Sequence, residues 1–189
     1  MNYKNILKIF IVAAIVIVGM SCVSAGLFGD GDALKGSGQY KVGSDIPAGE
    51  YYVKCDGYNL YVEVSSDSSG TLESIVYNLN TDGGAYITVN DGEYLKIDGG
   101  KLYELNKAPD TDAQGGYYKN GMYKVGEDIP AGEYQVESTS GLAYIEVSTD
   151  SRHQIESIVT NDNFEGSKYI TLENGQYLTL SNGAQIKAK

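Results

Sequence analysis

The chain repeats itself. Residues Tyr40 to Glu104 realign without a gap on Tyr123 to Lys187, at a constant offset of 83 positions. The opening of each copy is nearly the same: Tyr40-Lys41-Val42-Gly43-Ser44-Asp45-Ile46-Pro47-Ala48-Gly49-Glu50-Tyr51 against Tyr123-Lys124-Val125-Gly126-Glu127-Asp128-Ile129-Pro130-Ala131-Gly132-Glu133-Tyr134. A tandem repeat requires that one small module fold twice, and this constrains the architecture before any question of function. It also separates kinds of residue. Chemistry that belongs to the module should stand in both copies, whereas a residue present in one copy belongs to that copy alone.

The N-terminal segment sets the compartment. Lys4 and Lys8 form a basic start, Ile9 to Met20 is an unbroken run of apolar or small residues, and Val23-Ser24-Ala25 ends it with small residues. This pattern reads as a secretory signal helix over residues 1–25, cleaved after Ala25. Two other readings use the same residues. Cys22 could carry a lipid, although Met20 is bulky for that signal, and the segment could stay as an uncleaved anchor, although it is shorter than the roughly 20 residues a bilayer needs. Loss of Lys4 and Lys8 takes the net charge from -11 to -13. So acidic a surface disfavours nucleic acid and anionic lipid as partners, because a phosphate binder needs clustered Lys and Arg, and the plainer purpose of the charge is solubility. The membrane is then met only through the N-terminal segment, if uncleaved or lipidated. With Cys22 in the signal, Cys55 is alone, and Ser138 holds its place in the second copy. No intrachain disulfide follows, and Cys55, in phase with Tyr51 and Val53, reads as a buried and inert thiol.

Each copy reads as all-β. Leu60-Tyr61-Val62-Glu63-Val64 and Ala143-Tyr144-Ile145-Glu146-Val147 alternate with period two, which is the pattern of a half-buried antiparallel strand. Tyr86-Ile87-Thr88-Val89 and Glu93-Tyr94-Leu95-Lys96-Ile97 flank Asn90-Asp91-Gly92, and the second copy has Glu173-Asn174-Gly175 at the same place, so a tight hairpin is expected in both. The Ile-Pro-Ala-Gly-Glu-Tyr block reads as a turn entering a strand. Further short strands are expected at Glu73-Ser74-Ile75-Val76 and Glu156-Ser157-Ile158-Val159.

About five or six short strands in roughly 65 residues imply a small antiparallel β-sandwich of jelly-roll-like form, present twice. The expected organisation is a tether over 26–38, a first β module over 39–105, a linker over 106–121 and a second β module over 122–189. Asn106 to Gly116 reads as solvated and flexible, so two beads on a string are expected, with some packing between the copies because a module this small is marginal alone.

The Val-Gly-x-Asp-Ile-Pro-Ala-Gly-Glu-Tyr block, the downstream Glu-Val-Ser-x-Asp-Ser and the Tyr-Ile-Thr-x-x-x-Gly-x-Tyr-Leu ending together resemble an uncharacterised repeat. That repeat occurs in exported proteins and lipoproteins of Gram-positive bacteria and in some archaeal surface proteins. Copy two carries the typical Asn161-Asp162-Asn163-Phe164-Glu165-Gly166-Ser167, and copy one departs from it at Leu79 to Gly84. The resemblance implies an extracellular accessory module with no established biochemical activity.

No catalytic constellation is shared by the copies. The single histidine, His153, aligns with Gly70 and reads as a solvated loop residue. Recurring carboxylates could form a glycosidase-like pair, but a module this small has little room for a cleft, and the chain has no Trp to stack a sugar. No cofactor is expected. Calcium is the alternative worth weighing, held by hard oxygens at the Asp45, Asp67, Asp128 and Asp150 turns, against the plainer reading that tight turns use Asp and Ser anyway. The leading reading is a secreted or cell-surface, non-catalytic protein that binds an envelope polymer or a surface protein. Tyr61 and Tyr144, which lie opposite the core face of their strands, are the candidate ligand-binding residues.

Overall fold

The computed structural model describes residues 32–189. The expected signal segment, its expected cleavage after Ala25 and the lipidation reading of Cys22 lie outside the described residues. Within them the protein is all-β, built of several antiparallel sheets joined by turns and three single-turn 3₁₀ segments.

The first copy contributes β1 (Gly38–Lys41), β2 (Gly49–Cys55), β3 (Leu60–Ser65), β4 (Ile75–Thr81), β5 (Ala85–Val89), β6 (Tyr94–Asp98) and β7 (Gly100–Glu104). After β8 (Tyr117–Tyr118), the second copy contributes β9 (Gly121–Lys124), β10 (Gly132–Ser138), β11 (Ala143–Ser148), β12 (Ile158–Phe164), β13 (Ser167–Leu172), β14 (Tyr177–Ser181) and β15 (Ala184–Lys187). The first copy forms sheets in the order β1-β6-β3-β4 and β5-β2-β7, and the second forms β12-β11-β14-β9 and β13-β10-β15-β8. Equivalent strands keep equivalent registers: Leu60 faces Thr81 in one copy and Ala143 faces Phe164 in the other. Both pairings carry an irregularity at the same place, between Val64 and Ser65 and between Val147 and Ser148.

In each copy one core draws side chains from both sheets. Tyr51, Val53, Ile87, Val89 and Leu102 meet Leu60, Val62, Val64, Leu95 and Ile97 in the first; Tyr134, Val136, Leu172 and Ile186 meet Ala143, Ile145, Val147, Leu178 and Leu180 in the second. Burial at alternate positions follows from the pleat, which points successive side chains to opposite faces. The Ile-Pro-Ala-Gly-Glu-Tyr block owes its form to a local closure. The Tyr51 hydroxyl donates to the Pro47 carbonyl at 2.8 Å and Tyr134 to Pro130 at 2.7 Å, so the core tyrosine locks the turn four residues before it.

Two sequence expectations are corrected in detail. The turns Asn90-Asp91-Gly92 and Glu173-Asn174-Gly175 exist, with Gly92 and Gly175 both at φ +85°, but they do not close hairpins. β5 pairs with β2, whereas β6 pairs with β1 and β3, so each turn carries the chain from one sheet across the core to the other. Val89 and Leu95 are then buried in one core from opposite sheets, a solution that short apolar strands permit as readily as a hairpin. The strands expected from Glu73 and Glu156 instead begin at Ile75 and Ile158, after 3₁₀ turns closed by Ser74 and Ser157 onto the carbonyls of Thr71 and Gln154. They run on through Asn78, Asn80, Asn161 and Asn163, residues whose low strand propensity hid them.

Strand pairing also reaches into the segments read as connectors. Leu34 donates to the Leu102 carbonyl and Lys35 pairs with Leu102; in the second copy β8, which holds the place of Leu34 and Lys35, pairs with β15. The polypeptide from Asp32 to Lys189 forms one compact unit.

Candidate binding groove at the junction of the two repeats

The outer face of β5 and β2 in the first copy meets β9 and β14 of the second. Tyr52, Ala85, Tyr86, Met122 and Tyr177 form a third buried cluster, separate from the two module cores. The rings pack edge to face, Tyr52 on Tyr86 at 5.1 Å and Tyr86 on Tyr177 at 5.8 Å between centroids, the arrangement that aligns the positive ring edge with the negative face. Tyr86 is 6% exposed, while Tyr169, its counterpart in the second copy, is 66% exposed. The junction therefore buries a face of one copy that the other leaves in solvent.

Polar groups frame this cluster. Glu50 accepts from Ser151 at 2.7 Å and Tyr177 at 2.5 Å on Oε1, and from Lys124 at 3.4 Å on Oε2, every one of these partners being in the second copy. Asp128 answers from the other side, accepting from Tyr86 at 2.8 Å, Thr111 at 2.5 Å and the backbone of Lys124 at 2.6 Å. Arg152 forks onto Glu93 at 2.8 and 2.9 Å and also donates to the Thr88 carbonyl at 3.0 Å. These two side chains are only 16% and 13% exposed, so the pair is shielded from the solvent that weakens surface ion pairs. The backbone joins in: Thr88 N donates to Ser151 O at 3.0 Å and Met122 N to Gly84 O at 2.9 Å.

His153 belongs to this frame, which corrects its reading as a solvated loop residue. Its Nε2 donates to the Tyr86 carbonyl at 2.8 Å and its ring lies 5.4 Å from that of Tyr77. Burial is the main cause that holds the imidazole below its usual pKa, against a smaller upward pull from the Tyr86 carbonyl, Glu146 and Asp150. Its backbone sits at φ +52°, where copy one has Gly70 at φ +71°. The loop geometry is thus common to the copies, and only the second fills it with a side chain that reaches across.

Beside the tyrosine cluster the two copies leave a groove of about 390 Å³. One wall is β4, contributing the consecutive residues Asn78, Leu79, Asn80 and Thr81; the other is the outer face of the second copy, with Tyr144, Glu146, Thr179 and Ser181. Registers explain the second wall: Tyr144 faces Ser181 and Glu146 faces Thr179, so all four side chains leave the sheet on one side. Its volume lies within the ~300–1,000 Å³ range of small-ligand sites. The Tyr144 hydroxyl donates to Glu146 at 2.6 Å, and its pKa is pushed up to about 12 by burial first and by that carboxylate second. Among the described residues lining the groove, Glu146 is the one carboxylate.

The structure separates the residues singled out in the sequence. Tyr144 lines the groove, whereas Tyr61 lies on the outer face of the first copy, bonded to Glu63 at 2.5 Å with Lys96 above its ring. The four aspartates are not brought together. Asp45 accepts from Lys41 N, Asp67 from Ser69 N, Asp128 is in the junction, and Asp150 accepts from Arg152 N and Ser157 Oγ. No three such side chains gather into a metal-holding group among the described residues. Cys55 is half-buried against the first core. Part of the junction was missed because its residues differ between copies, while Glu50, Tyr86, Ser151 and Tyr177 recur as Glu133, Tyr169, Ser68 and Tyr94 and so gave no sign of a role in one copy alone. Tyr52, Tyr77 and Glu93 stand against Gln135, Thr160 and Gln176, while Arg152 and His153 stand against Ser69 and Gly70. An outward-facing aromatic in one copy, replaced by a polar residue in the other, is the signal that could have located it.

No family model, no curated protein and no solved structure matches the chain significantly.

Proposed function

We propose that the protein is a secreted or cell-surface, non-catalytic binding protein. Its two jelly-roll-like β-sandwich modules act as one body, and its site is the groove at their junction, turned toward an envelope polymer or a surface protein. The observation that carries this reading is the composition of the groove. Amides from Asn78 and Asn80, hydroxyls from Thr81, Thr179 and Ser181, the ring of Tyr144 and the apolar Leu79, Met122 and Ile155 converge on one cleft. Such a mixture of apolar floor and few oriented polar groups is how ligand sites fix orientation. A non-catalytic role is supported by the single carboxylate in the cleft, held by Tyr144, and by the bonding of His153 Nε2 to the Tyr86 carbonyl. A hydrolytic pair needs two carboxylates across a substrate.

The test is retention of the full chain on isolated cell envelopes. Tyr144→Ala should lower retention by roughly tenfold, the order expected when an aromatic anchor is removed from a site. Tyr61→Ala, which alters the equivalent residue outside the groove, should leave it unchanged. Equal retention of the Tyr144 variant and the wild type would show that the groove is not the site.

A further inference from the structure

Resting on that reading, the geometry points to the class of ligand. We propose that the groove takes an extended peptide segment, which adds to β4 as a fifth strand of the β1-β6-β3-β4 sheet and sets a basic side chain against Glu146. Strand addition at a sheet edge uses main-chain hydrogen bonds for affinity and alternate side chains for specificity.

Three observations converge. First, among the described residues β4 is an edge strand, paired with β3 alone. Side chains of one strand alternate between faces, so a cleft beside a sheet face would meet only every second residue. Four consecutive residues, Asn78 to Thr81, line this groove, the pattern of a strand that borders a cleft with its edge rather than with one face. Second, the edge is unguarded. Proteins commonly protect such edges with charge or proline, and β12, the equivalent edge in the second copy, carries Asp162 paired with Lys168 at 2.6 Å. At that position β4 has Leu79, and none of its seven residues is charged or proline. The departure of copy one from the repeat pattern thus falls on the strand that borders the groove. Third, Glu146 is the only charged side chain among the described residues of the lining, in a protein of net charge -11. A Lys or Arg on the incoming strand complements both, whereas an acidic peptide is repelled.

The test presents the full chain to immobilised ten-residue peptides of alternating Thr and Val, with Lys or Glu placed at each position in turn, and in parallel to soluble neutral polysaccharides. Lys-bearing peptides should bind more than tenfold tighter than Glu-bearing ones, with Glu146→Gln removing most of that preference. Amide exchange in β4 should slow when peptide is added. Asn78→Pro and Leu79→Pro remove adjacent amides that point to opposite edges. One of the two should therefore keep the wild-type melting temperature and lose peptide binding by tenfold or more. Peptide binding that both prolines leave unchanged overturns strand addition. Tyr144-dependent binding of a polysaccharide with no peptide bound overturns the peptide assignment and leaves the groove as the site. Absence of both, with envelope retention indifferent to Tyr144→Ala, overturns the site as well.

Discussion

Glu50 shows how much a single side chain can depend on its copy. It accepts from Ser151, Tyr177 and Lys124, while Glu133 at the same place in the second repeat is exposed. Removing an acceptor from part-buried hydroxyls costs about 1–3 kcal/mol. Glu50→Ala should therefore lower stability by that amount in urea titration, Glu50→Gln, which keeps an acceptor oxygen, by less, and Glu133→Ala by almost nothing. Acid should act on the same junction in two stages. Because the folded pKa of His153 is depressed, mainly by burial, its contribution is complete above the unfolded value of about 6.5 and is lost as pH falls below it. Burial alone would raise the Glu93 pKa, but the Arg152 fork and the Asn90 amide together outweigh it and lower it. Its contribution is complete above the unfolded value of about 4.3 and is lost as pH falls through the folded one. Melting temperature recorded against pH should thus decline in two steps. The first should vanish in His153→Asn, since Asn tolerates the positive φ of that position.

The turn from β4 to β5 is the element on which the junction closes. A Cβ on Gly84 would lie 1.9 Å from the Tyr52 hydroxyl, and one on Gly83 would lie 2.3 Å from the Asn120 carbonyl. The second repeat has Ser167 where the first has Gly84. Gly84→Ser should cost about 1–3 kcal/mol by overpacking, with Ser167→Gly costing well under that, both read from chemical denaturation. Elements were legible in the sequence to the extent that their pattern was local. The alternation in β3 and β11 revealed those strands and their buried faces, and the Pro-Ala-Gly turn revealed the start of β2 and β10. Asn90-Asp91-Gly92 revealed a turn but not its partners, because a positive φ fixes where the chain reverses and not which strands bond. The later parts of β4 and β12, with alternate Asn residues, carried no strand signal at all, since their conformation comes from pairing with β3 and β11.

At the scale of the whole molecule, the shared tyrosine cluster and the polar frame around it join two small cores into one unit. Thermal unfolding of the protein should be a single transition with calorimetric and van't Hoff enthalpies equal. A double variant, Tyr86→Ala with Arg152→Ala, should split it into two. The groove was legible only in part. Tyr144 could be read as an outward tyrosine, but Asn78, Asn80 and Thr179 acquire a common role only when two copies are set side by side, and no periodicity within a module encodes that. The junction has a further consequence for how long such a protein can grow. It joins two unlike faces of one module, the kind of contact that propagates into an open filament when every unit carries both halves. Here the face that each copy leaves unpaired has diverged in part: Ser69 and Gly70 replace the arginine and histidine on the first copy, and Gln135 and Gln176 replace the tyrosine and glutamate on the second. A further module with the second copy's sequence, set against that copy, would therefore meet glutamines where the second copy now meets Tyr52 and Glu93, so divergence has made this junction specific to one pair of faces.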